Sequence, residues 1–341
     1  MGLPDAIVWG DERQPHSGMV LDGFVLDSRS RNAYEADGSK ILAKKSWVGC
    51  LLKVSDRDIK IRNCVLLNPY GEGIYGTWKG TENEISNCFV LNTFREGIST
   101  RSAQPDSKIL IKNNTIAFCW FQPGKGGGIG IFVGKEGEVT IENNVLAYMS
   151  TEDADGFAIT NNFGNDRTVM KGNVFSQCQG GYYKFMDADS KSLVLWKPEE
   201  LADLNKDPGS YMLAAAGDNQ EVDPGIKPDK EYFGRFSGFV GSQPGKLNMD
   251  SMNKLRQMLG LPLQADAGTA RQNWGMAYPR AAVLVELACT VSGKGVLGDA
   301  KLASYSSPDA GGTAGGTAGG AAPAAEAPKS YETVEFTAFK K

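Results

Sequence analysis

Ile61-Arg-Asn-Cys-Val, Ile85-Ser-Asn-Cys-Phe, Ile111-Lys-Asn-Asn-Thr, Ile141-Glu-Asn-Asn-Val and Met170-Lys-Gly-Asn-Val are copies of one short pattern, starting 24, 26, 30 and 29 residues apart. Leu21-Asp-Gly-Phe-Val is an earlier copy, 40 residues before Ile61. A period of this size is the signature of a solenoid. The first column is aliphatic or Met: Leu21, Ile61, Ile85, Ile111, Ile141, Met170. The third holds only Gly or Asn: Gly23, Asn63, Asn87, Asn113, Asn143, Gly172. Those two residues enter the left-handed backbone region at least cost, so the column predicts a fixed bend between strands. The fourth column runs Phe24, Cys64, Cys88, Asn114, Asn144, Asn173, and its three asparagines are expected to hydrogen-bond along the stack. Two positions on, Leu26, Leu66, Val90, Ile116, Leu146 and Phe175 are expected to point inward.

A second strand in each coil is expected to open with glycine: Gly73-Ile-Tyr, Gly97-Ile-Ser, Gly128-Ile-Gly, Gly156-Phe-Ala, Gly181-Tyr-Tyr. Its apolar residues alternate, the period of a strand. Coils of this kind stack in parallel, about 4.8 Å apart. With these columns the segment resembles a right-handed parallel β-helix of the pectin-lyase-like superfamily. The resemblance covers about half the chain and is specific for fold rather than activity.

The expected architecture is an all-β solenoid over residues 1–195, with an incomplete first coil over 1–20 and a polar excursion over 28–58. A C-terminal cap follows over 196–303, with short helices at Lys197–Leu204, Asp250–Gly260 and Pro279–Cys289. Residues 304–328 read as a Gly/Ala/Pro-rich linker. Residues 329–341 read as a tethered strand in which Val334, Phe336 and Ala338 alternate with polar residues. Docked on a sheet edge through Tyr331, Val334, Phe336 and Phe339, that strand would join copies of the chain into an oligomer or filament.

A net charge of −4 argues against a nucleic-acid partner. No apolar run is long enough to span a membrane. Met1 leads straight into Leu3-Pro-Asp-Ala-Ile-Val-Trp-Gly with no secretory signal. Either a leader has been removed or the protein is cytoplasmic, and the expected location is extracellular or the cell surface. Six cysteines, without a CxxC pair, read as buried thiols in ladder positions rather than as a zinc site. Cys64 and Cys88 fall in adjacent coils, where a disulfide is sterically open to them. Cys119 and Cys178 share a column but are separated by Met149.

The resemblance implies polysaccharide chemistry, by clustered carboxylates in hydrolases or by a Lys, Arg or His base in lyases and epimerases, often with Ca²⁺. Glu72, Glu96 and Asp155 each precede a strand-opening glycine, so they are expected in one outer column, interrupted by Gly127, with Asp153 two residues from Asp155. Paired carboxylates suit glycoside hydrolysis; solvated corner acids are the plainer reading. Tyr70, Phe94 and Trp120 form an aromatic column that is either a sugar platform or core. Arg95 and Arg101 would bind an acidic sugar or neutralise Glu96. Neither a Gly-His-Gly nor the Arg-x-Lys of polygalacturonases is present, and His16 is the only histidine. Asp153-Ala-Asp-Gly and Asp187-Ala-Asp-Ser resemble fragments of Ca²⁺ loops without the remaining ligands, so neither metal nor cofactor is expected, Ca²⁺ being the one ion those fragments would suit. The expected function is a non-catalytic β-helix protein that self-associates or binds a polysaccharide. The alternative is a polysaccharide lyase, epimerase or glycoside hydrolase working at Glu72, Glu96, Asp153 and Asp155.

Overall fold

The computed structural model describes residues 7–9, 18–27, 50–67, 69, 71–93, 95–119, 121–122, 126–149, 156–178, 180–224, 226–227, 283–284, 286–288, 301–302 and 305–306. Three long sheets run along a parallel β-helix. The first, eight-stranded, starts at Ile7–Trp9 and Leu52–Arg57, continues through Ile74–Lys79, Glu96–Ser99, Ile129–Phe132, Phe157–Asn161 and Gly181–Met186, and ends at Ser192–Leu195. The second carries the repeat's first column and runs from Val20–Asp22 to Ala215–Gly217. The third follows the bend and runs from Val25–Asp27 to Gln220–Glu221. Pairing within these sheets is parallel, except that Ser192–Leu195 turns back antiparallel to Gly181–Met186.

The columns stack as the repeat predicts. Leu21, Ile61, Ile85, Ile111, Ile141 and Met170 are successive ladder partners. Leu26, Leu66, Val90, Ile116, Leu146 and Phe175 are partners in the third sheet. All but Leu26 of these are buried. At the bend, φ is +52° at Asn63, +53° at Asn87 and Asn113, +55° at Asn143, and +78° and +63° at Gly23 and Gly172. Gly, and after it Asn and Asp, tolerate that conformation most cheaply, which accounts for the column.

The fourth column closes the carbonyls at the bend. Asn114 Nδ2 donates to the Ile85 carbonyl at 2.9 Å, Asn144 Nδ2 to Ile111 at 2.9 Å, and Asn173 Nδ2 to Ile141 at 2.9 Å. Cys64 and Cys88 are free thiols that do the same, to Leu21 and Ile61 at 3.7 and 3.6 Å. Phe24, in the same column, is instead exposed. In the third sheet Cys119, Met149 and Cys178 are successive partners.

The stack does not end where the repeat fades. After the antiparallel strand comes helix α1 (Pro198–Lys206), then a further coil in which Met170 pairs with Ala216 and Phe175 with Glu221. Its bend residue is Asp218 at φ +55°, and its ladder residue is Asn219, which donates to Met170 at 2.8 Å. The β-helix therefore runs past residue 195. Helix α1 starts at a proline, and the Glu200 carboxylate accepts from the Trp196 and Lys197 backbone N–H groups at 2.6 and 2.9 Å. Leu201 and Leu204 insert into the end of the core, and Asn205 Oδ1 accepts from Asn219 Nδ2 at 2.8 Å, ending the ladder. This is the capping expected of the first helix.

Other expectations are corrected. The excursion predicted over 28–58 is shorter, because Leu52–Arg57 is a ladder strand of the first sheet. Residues 283–284 and 286–288 are short strands, not part of a helix. A short apolar run such as Val283-Leu-Val-Glu-Leu fits both periods. Gly97 lies opposite Gly130 rather than Gly128, since Glu96 pairs with Ile129 and Ile98 with Ile131. Gly128-Ile-Gly130-Ile fits either frame by pattern. A Cβ on Gly130 would meet the Ala158 carbonyl at 2.6 Å and Leu146 Cδ2 at 2.7 Å, so the position takes glycine, which either frame supplies. Phe157 pairs with Gly181, so Gly156 likewise aligns with Gly180 and not with Gly181. The helix expected at Asp250–Gly260, the linker and the terminal strand lie outside the described residues.

Candidate functional site

Glu72 and Glu96 stand at the starts of consecutive strands of the first sheet, joined by a Gly73 N–H bond to the Glu96 carbonyl at 2.9 Å. Both carboxylates are buried, which corrects the reading of them as solvated corner acids. They are held in an ion-pair network instead. Arg95 Nη1 contacts Glu72 Oε1 at 2.5 Å, and Arg101 Nη2 contacts Glu96 Oε1 at 2.8 Å. Cys50 Sγ lies 3.5 Å from the other Glu72 oxygen and donates to it. Arg95 Nε is 3.5 Å from Glu96 Oε2, yet among the described residues neither atom makes a hydrogen bond. Glu96 therefore keeps one buried oxygen that is ion-paired but not hydrogen-bonded to any of them.

The electrostatics follow from that burial. Desolvation, helped by the negative charge of Glu72, pushes the Glu96 carboxyl up to about 7, against the pull of Arg95 and Arg101. Burial and the neighbouring Glu72 push the Cys50 thiol far above its ordinary value, so it serves as a neutral donor. The column expected to continue through Gly127 to Asp155 is corrected: the ladder partner of Glu96 is Ile129, and that of Phe157, further along the sheet, is Gly181. The physical reason is the hairpin Phe121–Gln122/Gly126–Gly127, which inserts ahead of this strand and displaces its frame. At Gly127 (φ +123°) a Cβ would meet Arg95 Cα at 2.6 Å, so the hairpin rests directly on the arginine backbone.

Beside the carboxylates, the outer face of the first sheet carries groups that the sequence reading missed. The Arg101 guanidinium lies 4.3 Å from the centroid of the Phe132 ring. Phe163 meets Phe132 edge-on, centroids 5.9 Å apart, and is 47% exposed. Tyr75 and Ser102 share a hydrogen bond of 3.0 Å between their hydroxyls. Lys184 Nζ sits 4.7 Å over the Phe157 ring. Tyr75, Ser99, Phe132, Thr160 and Lys184 are successive ladder partners. The signal for Phe132 was present in Ile129-Gly-Ile-Phe, where it takes the position opposite in parity to Ile131. Nothing in the sequence marks Phe163, which lies in a turn.

Tyr70, Phe94, Trp120, Asp153 and Asp155 lie outside the described residues, as do Tyr331, Val334, Phe336 and Phe339. The Asp187-Ala-Asp-Ser fragment is the turn of the hairpin before Ser192, with Asp187 Oδ1 accepting from the Asp189 and Lys191 N–H groups at 3.0 and 2.7 Å. Among the described residues no three His, Cys, Asp or Glu side chains converge as metal ligands. No helix among them is long and apolar enough to cross a membrane.

Residues 48–194 match the family model described as right handed beta helix region. That match and the parallel ladders make this a right-handed parallel β-helix repeat protein. No curated protein and no solved structure matches the chain.

Proposed function

We propose that this chain is an extracellular or surface β-helix protein that binds a glycan along the outer face of its first sheet without cleaving it. The observation that carries the reading is the contiguous set of Arg101, Phe132 and Phe163, an exposed ring and a half-exposed guanidinium beside paired hydroxyls. Sugar rings stack their C–H faces on aromatic rings and take hydrogen bonds from guanidinium and hydroxyl groups. The engagement of both carboxylates by arginines supports binding over catalysis. Each stacking or cation–π contact is worth about 0.5–2 kcal/mol. Phe163→Ala and Arg101→Ala are therefore each expected to weaken glycan binding several-fold, read by calorimetry against a panel of neutral and uronate polysaccharides. Wild-type affinity in both variants sinks the site.

One observation favours a polysaccharide-cleaving reading: burial pushes the Glu96 carboxyl up to about 7, and one of its oxygens makes no hydrogen bond among the described residues, as suits a general acid. Release of reducing ends or unsaturated products from the same panel, abolished in Glu96→Gln, would make this the better reading. The sequence also motivates self-association through residues 329–341. Light scattering of the full chain and of a chain lacking those residues is expected to give a larger number of copies per particle for the full chain.

A further inference from the structure

Among the described residues the first sheet ends in an open edge. Ser192–Leu195 is its terminal strand there, with a neighbour on one side only. The Asp187 N–H bonds the Lys191 carbonyl at 2.9 Å, so this pair is hydrogen-bonded, and alternation along an antiparallel ladder then makes Phe185/Leu193 and Tyr183/Leu195 hydrogen-bonded too. Ser192 and Val194 therefore turn their N–H and C=O groups outward, away from the sheet. Beside them Leu193 and Trp196 are 44% and 48% exposed. Unpaired backbone flanked by exposed apolar side chains is a template for one more strand.

We propose that a second copy of this chain docks on this edge, Ser192–Leu195 against Ser192–Leu195, about a two-fold axis perpendicular to the sheet. The symmetry limits the register, because a perpendicular two-fold keeps outer faces on one side and places only residues of like parity opposite each other. Centred on Leu193, the pairing sets Leu193 against Leu193 of the second copy as a non-hydrogen-bonded pair. Ser192 and Val194 then exchange backbone hydrogen bonds with Val194 and Ser192 of the second copy, as their outward groups require. Centred on Val194 instead, the pairing would oppose Lys191 to Lys197 and demand the Trp196 N–H, which already donates to Glu200 at 2.6 Å. Charge and backbone both select the Leu193 centre. The two first sheets become one continuous sheet, tail to tail. A four-residue edge is a small contact, so the dimer is concentration dependent.

The test is sedimentation equilibrium of the full chain over a concentration series, with Leu193→Glu and Leu193→Cys. The expected result is a monomer–dimer equilibrium, shifted toward monomer at least tenfold by Leu193→Glu, whose carboxylates would face each other. Leu193→Cys is expected to cross-link on mild oxidation, since a non-hydrogen-bonded pair has a Cα separation of about 4.5 Å, within disulfide reach. The cross-link decides the matter even if Leu193→Glu fails to fold. A wild-type chain that stays monomeric throughout overturns the proposal. So does a dimer indifferent to Leu193→Glu with no Leu193→Cys cross-link, and so does a dimer lost only on deletion of residues 329–341. Glycan binding is read separately, so its failure is distinguishable from failure of the edge.

Discussion

Asn144→Ala is expected to destabilise the β-helix by about 3 kcal/mol or more, because several buried groups lose partners at once and each costs about 1–3 kcal/mol. Asn144 Oδ1 accepts from the Asn114 backbone N–H at 2.9 Å and from Asn114 Nδ2 at 3.0 Å. Its Nδ2 donates to the Ile111 carbonyl at 2.9 Å and to Asn173 Oδ1 at 3.0 Å. Alanine supplies none of these, and the site is fully buried, so water does not replace them. Asn113→Gly, one residue earlier, is the matched control. Its φ of +53° suits glycine, so that change is expected to stay within about 1 kcal/mol. Asn144→Cys is expected to fall between the two, since Cys64 and Cys88 already donate to the same carbonyl column. Urea denaturation of the three variants checks the order. A loss below about 1 kcal/mol for Asn144→Ala would mean that the ladder contributes little beyond the coil packing around it.

The second large effect is in pH. The Glu96 carboxyl is pushed from an ordinary 4.5 up to about 7 by burial and by Glu72. A raised folded-state value means that the folded protein holds this proton more tightly than the unfolded chain. The stabilisation is complete below about 4.5 and is lost as pH rises through about 7. At about 1.4 kcal/mol per pH unit, the contribution is on the order of 3 kcal/mol. The chain is therefore expected to unfold at lower urea concentration at pH 8 than at pH 5.5. Glu96→Gln mimics the protonated form, keeps an oxygen for Arg101, and is expected to flatten the profile while raising stability at pH 8. A wild-type profile flat over this window would place the proton elsewhere. Glu84, whose carboxyl is lowered by Arg62, Ser86 and Lys112 despite its burial, acts in the opposite sense and at lower pH, so it does not blur the measurement.

The two predictions differ in how far the residues announced them. The asparagine ladder was readable because each column repeats a self-sufficient chemical reason. Asn or Gly at the bend answers a positive φ, and Asn or Cys after it supplies a donor for a carbonyl one coil away. The last coil escaped notice because the hairpin at Asp187, α1 and the turn after it separate Ala216 from Met170 by 46 residues, and because alanine and Asp218 stand where an aliphatic and an Asn were expected. The acids were located but their state was not. Sequence spacing places Glu72 and Glu96 on neighbouring rungs; it does not say whether water reaches them.

The linear order of residues by itself determined the parallel coils, their inward columns and the bend, since these depend on local conformational preference repeated at a steady interval. Only the tertiary structure decided the frame of Ile129–Phe132, the burial of the carboxylates between Arg95 and Arg101, and the setting of Phe163 against Phe132. Those follow from which side chains meet across rungs, and a period-two pattern such as Gly128-Ile-Gly-Ile is satisfied equally by two frames, since either puts a glycine where a Cβ would meet Leu146 and the Ala158 carbonyl.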